Sequence, residues 1–587
     1  MSKRVLFRIL VAGVLWGTSG IVSAQWQDMS SALNLFTGHT GGYLGSGVSV
    51  VDFNGDGFDD LSFCNHTGVL FFYEGDGAGG FTPVQFGIDN GSADAKSVSW
   101  VDIDNDGDQD LFIANRLATN GLWRNDGEQG FTDITLDSGL DLENRKSYGA
   151  SFADYDNDGD LDLFVANYNA APTEMLNELY SNNGDGTFTQ TTFLAGLGQD
   201  IKQTFLGEWT DFNEDGLLDL YLIRDRHAYH NMYYENQGDG TFLNTAWSRG
   251  LDLAINAMCS AIGDYNRDGA MDVYVSGLQD ENVLLTNDGS GNFEDLGSDP
   301  FAIWHTCWAG TWVDWDNNGW QELHVATGTS LFTNYPSILT TIDQIPDSMF
   351  TFDGESWSAV AGSGLPAEHS FSVATADLNG DGFLDLASCP IDSFASIYFA
   401  TPNGNHYLRV KGEGVESNRD AIGVKYRLYA NGELHYRMSK SGEGYLTQGS
   451  RWQHFGLGEV EAIDSLVVTW PTGLSDVFYD LPVDASILVV EGAAEWQCTG
   501  GGCLPAPGPG CTYPAALNYE PDAEGDDGSC LFGPTAEACG EGTIWDEASS
   551  TCVAVPDACP ADVNGDNFVG IADLLDLLES FSTVCPE

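Results

Sequence analysis

One nine-residue pattern, written seven times, constrains this chain more than any other feature. Asp52-Phe-Asn-Gly-Asp-Gly-Phe-Asp-Asp60 recurs in form from Asp102, Asp154, Asp211, Asp264, Asp314 and Asp377. The copies lie on average near 54 residues apart, room for four short strands with their turns, as in a propeller blade of ~40 to 50 residues with loop insertions. Each copy is followed by a strand, a Gly/Asn turn and another strand, as in Leu122 to Phe131, Leu179 to Phe188 and Met232 to Phe242. Outer strands begin at Phe131 and, in weaker form, at Phe81, Phe188, Phe242, Phe293 and Trp357, so only six follow a loop. The seventh stands at the other end of the chain, where Trp26, Asp28, Ser30 and Leu35 align with Phe131, Asp133, Thr135 and Leu140. The expected fold is all-β. A seven-bladed β-propeller over 25–403 closes by pairing its two ends, which removes the open sheet edges of a linear array.

The repeated loops predict metal sites. Positions 1, 3, 5 and 9 carry oxygen donors in every copy: Asp52, Asn54, Asp56 and Asp60; Asp102, Asp104, Asp106 and Asp110; Asp154, Asp156, Asp158 and Asp162; Asp211, Asn213, Asp215 and Asp219; Asp264, Asn266, Asp268 and Asp272; Asp314, Asp316, Asn318 and Glu322; Asp377, Asn379, Asp381 and Asp385. Hard oxygen donors select Ca²⁺, and position 6 is glycine each time, which permits the left-handed turn that curls a short chain around an ion. Position 7 varies, as Phe58, Asp108, Leu217 and Trp320 show, in keeping with a backbone carbonyl ligand. A solvated Asx-turn hairpin explains one such loop but not seven. The sixth copy, with Asn318 and Glu322, is expected to be weakest. Up to seven structural calcium ions are expected, each stabilising the folded state by binding only to it.

Charge and compartment agree. The chain has 21 Lys+Arg against 88 Asp+Glu, a formal charge of −67, which excludes a nucleic-acid partner because phosphate neutralisation needs clustered bases. An apolar fraction of 42% shows that the acidity does not mean disorder. Residues 1–24 read as a signal peptide: Lys3 and Arg4, an apolar run to Trp16, and Val22-Ser23-Ala24 before the expected cleavage. No later stretch is long enough to span a membrane. A secreted monomer is expected. Eight of twelve cysteines lie between Cys498 and Cys585; the simplest pairing is 498 with 503, 511 with 530, 539 with 552 and 559 with 585. Cys64 and Cys389, at one offset in the first and last blades, are either a bridge or buried thiols.

Other groups leave two readings. Trp304, Trp308, Trp312, Trp315 and Trp320 form either a sugar-stacking platform or packing, with Trp315 placed in the core and Trp320 exposed. His227 and His230 are a transition-metal pair or surface residues. Arg419 with Asp420 is an ion pair or an anion site, and His454 is a candidate base with no nucleophile at motif spacing.

The loops, with the Asn-x-Gly-x-Gly-x-Phe turns, resemble FG-GAP/VCBS repeats, the blades of integrin-alpha-type propellers; the resemblance implies this fold and calcium, and such propellers serve as binding scaffolds and also occur in polysaccharide lyases. A small β domain over 404–492 carries Ser417-Asn-Arg-Asp-Ala-Ile-Gly423, Ser441-Gly-Glu-Gly-Tyr-Leu-Thr-Gln448, His454-Phe-Gly-Leu-Gly458 and Trp470-Pro-Thr-Gly473. Together these resemble the ASPIC/UnbV domain of the cartilage acidic protein family, which implies an extracellular calcium protein without a catalytic role to transfer. After a Gly/Pro linker (493–510) and cysteine-rich modules (511–555), residues 556–587 resemble half of a dockerin, with Asp562, Asn564, Asp566 and Asp573 placed like EF-hand donors for one more calcium. The expected function is non-catalytic: an extracellular binding or adhesion module for a glycan or protein ligand. The alternative is a carbohydrate-active enzyme, a polysaccharide lyase or hydrolase, on the same scaffold.

Overall fold

The computed structural model describes residues 26–499, apart from 34, 36, 38–43, 169–175, 199–202, 298–300, 329–344, 361–364, 366 and 391–392, and beyond 499 only short strands at 509–510, 525–526, 543–546 and 551–554. The signal segment, the cysteine pairings of the tail and the loop at Asp562, Asn564, Asp566 and Asp573 lie outside the described residues. The chain divides into one compact unit running to Cys503 and another from Leu504.

Seven four-stranded antiparallel sheets form the propeller. Blade two is typical, with Ala95–Val101, Asp110–Asn115, Gly121–Asn125 and Phe131–Asp133 in order from the inside outwards. Every residue of its innermost strand is buried, whereas the outermost is largely exposed. Inner strands such as Ala95–Val101 therefore set small residues, Ser97 and Ser99, between large ones, Val98 and Trp100. In blade seven the inner strands Ser370–Ala376, Asp385–Pro390 and Ser396–Ala400 take Trp26–Asp28 as their fourth, with Trp26 opposite Ala400 and Asp28 opposite Tyr398. The ring closes as the offset of the repeats predicts.

Two recurring contacts join blades. The apolar residue at position 2 of a loop packs against a tryptophan on the next inner strand: Phe53 on Trp100 at 4.9 Å between centroids, Tyr155 on Trp209 at 6.1 Å and Tyr265 on Trp312 at 6.0 Å. Such pairs contribute about 0.5–1.5 kcal/mol beyond area burial. The asparagine of the second turn is the other joint. Asn182 Nδ2 donates to the Ile103 carbonyl of the preceding blade at 2.8 Å, Asn236 Nδ2 to Tyr155 at 2.7 Å, and Asn287 Nδ2 to Phe212 at 3.0 Å.

The domain after the propeller is two four-stranded sheets around one core. One orders Gln453–Gly458, His406–Glu413, Ala485–Val490 and Gln497–Cys498; the other orders Glu433–Met438, Lys425–Ala430, Ile463–Thr469 and Ser475–Phe478. Alternating burial along Ala485–Val490 puts Ile487 and Val489 inside. This domain belongs to the same compact unit as the propeller.

Its 441–448 segment fills the central channel. Gln448 pairs with the inner strand of blade one, through Val50 N to Gln448 O at 3.0 Å and Gln448 N to Val48 O at 3.1 Å. Its side chain bridges blades one and two: Oε1 accepts from Ser49 Oγ and Trp100 N, and Nε2 donates to Trp100 O, each at 2.8 Å. Ser441 Oγ bonds the backbone of Phe152 in blade three, and Gly444 N donates to Glu208 Oε1 in blade four at 3.2 Å. Tyr445 is fully buried among Phe205, Trp308 and Phe371, and its hydroxyl donates to Leu44 O at 2.7 Å.

Two readings that the sequence left open are settled here. No disulfide joins Cys64 to Cys389; with Cys259 and Cys307 they are buried thiols, and Cys64 and Cys389 belong to different core clusters. Cys498 is disulfide-bonded. The blade-six tryptophans form no platform: Trp308 and Trp312 are buried, Trp315 packs on Trp26, and Trp320 is half-buried under Arg267, whose guanidinium lies 3.8 Å from its ring. Trp304 alone of the five is exposed.

Tyr445→Ala is expected to cost about 3–5 kcal/mol, the range for emptying a large aromatic site. Urea unfolding followed by circular dichroism and tryptophan fluorescence should then show propeller and capping domain melting together at a lower midpoint. A separate transition for each domain contradicts the interlocked fold.

Candidate metal centres under the capping domain

All seven loops share one internal scaffold. The position-1 aspartate accepts the N–H of the position-6 glycine on Oδ2, as in Gly57 to Asp52 at 3.0 Å, Gly107 to Asp102 at 2.8 Å and Gly319 to Asp314 at 2.9 Å. In six loops its Oδ1 also accepts the N–H of position 5, for example Asp158 to Asp154 at 3.0 Å. The residue at position 5 accepts from position 7, as in Phe58 N to Asp56 Oδ1 and Trp320 N to Asn318 Oδ1. The glycine at position 6 has φ between +84° and +100°, the left-handed turn expected of it.

Position 9 is a buried structural carboxylate. Asp60 accepts Phe53 N at 2.9 Å on one oxygen and Gly75 N at 2.8 Å on the other. Asp110, Asp162 and Asp385 do the same with Ile103 and Asn125, Tyr155 and Asn182, and Leu378 and Ala400. One side chain therefore ties the start of the loop to the third strand of its blade.

Burial leaves the carboxyl groups short of positive charge. It raises Asp60, Asp110 and Asp219 to about 8, Asp272 to about 9, and Asp102, Asp154 and Asp264 to about 7, and it raises Asp314 as well. Carboxylate oxygens of Asp102, Asp104 and Asp110 come within 4.8 Å of one another, as do those of Asp154, Asp156 and Asp162, and of Asp314, Asp316 and Glu322. Asp104 Oδ1 and Asp314 Oδ1 are buried and accept no hydrogen bond. An unpartnered buried carboxylate oxygen facing other carboxylates is costly unless a cation is shared among them. The donor set fits a hard divalent cation. The sixth loop, weakest by its sequence, is among the three whose carboxylates converge.

The capping domain lies across this face. Lys411 Nζ stands 3.4 Å from Asp52 Oδ2, Lys425 Nζ 2.6 Å from Asp211 Oδ2, and Arg409 Nη1 2.8 Å from Asp377 Oδ2. Position 4, which the donor pattern passes over, is the docking point. It is left-handed in all seven loops, as Gly55, Asn105, Asn157, Glu214, Arg267, Asn317 and Gly380. Asn105 Oδ1 accepts Arg419 N at 3.0 Å; Glu214 accepts from Lys425, Arg427 and Tyr436; Asn317 Oδ1 pairs with His454 Nε2 at 2.6 Å; Arg267 pairs with Glu433. Recurrent Gly and Asn at that position were the available signal.

The remaining candidates resolve as packing. His454 is buried against Asn317 and stacked on Tyr407, and burial holds it well below its usual range, so it is neutral and enclosed. Asp420 pairs with Arg451 and accepts Asp102 N, whereas Arg419 pairs with Glu413. His227 faces Glu281 and His230 faces Asp252, so the two share no ligand set.

Carboxyls raised by burial give a defined pH dependence. With cations chelated, the folded state keeps protons near pH 5 to 7 that the unfolded chain, titrating near 4, has released. The contribution of these carboxyls to stability is then greatest at low pH and falls as pH rises from about 4 to 8, by about 1.4 kcal/mol per pH unit for each proton of difference. A cation bound by these carboxylates would replace those protons. Calorimetric melting temperatures in chelator should drop from pH 5 to pH 8 while those in excess calcium hold, so the gap widens; a gap constant with pH contradicts this.

Comparison with known proteins agrees with this geometry. FG-GAP-like repeat profiles match residues 52–113, 102–165, 154–207, 211–275 and 264–325, and the ASPIC and UnbV profile matches 414–495. Cartilage acidic protein 1 of Xenopus tropicalis is 27% identical over 345 residues, covering 54% of this chain and 50% of that protein. Its Homo sapiens counterpart is 29% identical over 255 residues, covering 41% and 37%. The chain thus spans half or less of the length of these relatives. Among solved structures, YCF48 from Cyanidioschyzon merolae (10% identical, TM-score 0.39) covers 64% of this chain and is itself covered over 99%. The rhamnogalacturonan lyase YesW (13% identical, TM-score 0.35) covers 64% and is itself covered over 76%. The chain is an FG-GAP-repeat propeller protein that carries an ASPIC and UnbV domain and is similar to cartilage acidic protein 1.

Proposed function

We propose that the protein is an exported, calcium-stabilised binding scaffold, without catalysis, whose ligand surface is the propeller face away from the metal loops. One observation carries the reading: the capping domain covers the loop face while its 441–448 segment fills the channel. Pore and loop face, two places where a propeller holds ligands, are thereby taken up by the chain itself. Four antiparallel strands alternate direction, so connections from each outer strand to the next blade leave on the opposite face. That face carries exposed apolar side chains: Leu136 at 78%, Phe193 at 68%, Trp247 at 85% and Trp304 at 68% exposure. Exposed aromatics of this kind serve as anchors for glycans or proteins. In keeping with an exported protein, no helix among the described residues is long and apolar enough to cross a membrane.

Calcium is the cation this reading assigns to the loops, and the cartilage acidic protein relatives support the extracellular setting. Captured extracellular glycans or proteins should be lost when Trp247→Ala and Trp304→Ala are combined, and retained in substitutions at the rim of the capping domain such as Val477→Ser. No polysaccharide in a panel of acidic and neutral chains should be turned over. Turnover abolished by one residue outside the loops contradicts the binding reading.

A further inference from the structure

Charge separates the loops into grades. The second and third loops hold four carboxylates at the donor positions: Asp102, Asp104, Asp106 and Asp110, and Asp154, Asp156, Asp158 and Asp162. Among the described residues, no cation of the capping domain lies within 4 Å of these carboxylates. The first, fourth and seventh loops differ in two ways at once. Each has asparagine at position 3 (Asn54, Asn213 and Asn379), and each has a capping-domain cation on its position-1 aspartate: Lys411 on Asp52, Lys425 on Asp211 and Arg409 on Asp377. Donor carboxylates with their ion-paired partner thus amount to −4 in one class and −2 in the other. The fifth and sixth loops share two guanidinium groups, Arg437 of the capping domain and Arg267 of the fifth loop itself, each set against both Asp264 and Asp314.

Geometry adds to the count. In the second and third loops the carboxylates at positions 1, 3 and 9 converge within 4.8 Å, and Asp104 Oδ1 is buried without a hydrogen bond. In the first, fourth and seventh loops the oxygen that meets the Lys or Arg also accepts the Gly57, Gly216 or Gly382 N–H, so the position-1 carboxylate is already compensated. Ligand charge is a main determinant of calcium affinity in oxygen-donor loops.

We propose that the capping domain grades the metal sites. The second and third loops take calcium at a lower concentration than the first, fourth and seventh, because Arg409, Lys411 and Lys425 act as built-in counter-ions in the latter three. This rests on the calcium reading above. At low calcium the blades that keep an ion pair to the cap are seven and one, which adjoin, and four across the ring, while blades two and three load.

Calorimetric calcium titration of the full chain, stripped with chelator and dialysed, tests the grading. Binding should be multiphasic. Asp104→Asn, which gives the second loop the asparagine that four sibling loops carry, should remove one ion from the tightest phase and return it on the order of tenfold weaker. Lys425→Gln, which removes the ammonium and keeps a polar group, should move one ion out of the weakest phase to a tighter one. If Lys425→Gln fails to fold by circular dichroism, Lys411→Gln, at a partly exposed residue, gives the corresponding reading for the first loop. The tail is the same in every variant, so differences belong to the substituted loop. Equivalent sites that neither substitution alters, or a lysine substitution that weakens its site, overturn the grading while leaving calcium in place. Absence of any calcium uptake overturns both.

Discussion

Buried negative charge is the constraint on which the rest of this structure depends. Each blade begins with a loop whose position-9 carboxylate is enclosed and, in the first, second, third and seventh loops, gives both oxygens to backbone N–H groups, joining the loop to the third strand of its own blade. That makes a rigid hairpin, but it places a charge where water cannot solvate it, next to a second at position 1. Such a group either stays protonated or meets a cation, because isolated burial costs several kcal/mol. An ammonium or guanidinium meets it where the capping domain reaches a loop, and the divalent ion proposed here fits where carboxylates converge.

The capping domain follows from the same constraint. Arg409, Lys411, Lys425 and Arg437 are drawn from a chain with only 21 Lys+Arg, and they are spent on the loop face. Around them, position 4 of the loops supplies hydrogen bonds to the cap, and the 441–448 segment supplies apolar and backbone contact inside the channel. Electrostatics orient the docking, and Tyr445 with Leu446 fixes it. A propeller whose pore is filled by its own chain has one broad free face.

Much of the ring was legible in the sequence. Seven loops at blade spacing, the glycine at position 6, and Trp26–Asp28 standing in for a missing outer strand lead to a closed seven-bladed propeller, because local loop geometry and strand alternation are written in neighbouring residues. Contacts between distant residues were not. The segment Ser441 to Gln448 stood out as a motif, yet its partners, Ser49, Trp100, Phe152 and Glu208, lie hundreds of residues away, and nothing in its composition says that it enters a channel. Position 4 was half legible: Gly55, Asn105, Asn157, Asn317 and Gly380 are residues that tolerate positive φ, but Glu214 and Arg267 hide the pattern, since their left-handed backbone is held by Lys425, Arg427, Tyr436 and Glu433. The sixth loop shows how side-chain length enters. Glu322 departs from the aspartate consensus, and its longer side chain still reaches Asp314 and Asp316.

The central claim is that neutralised loops hold the cap and its channel segment in place. Hydrogen exchange of the peptides covering 441–448, followed by mass spectrometry in excess calcium and in chelator, measures this most directly. Slow exchange in calcium and fast exchange in chelator, at a temperature where the blades stay folded, is the result the account predicts; equal protection in both would contradict it.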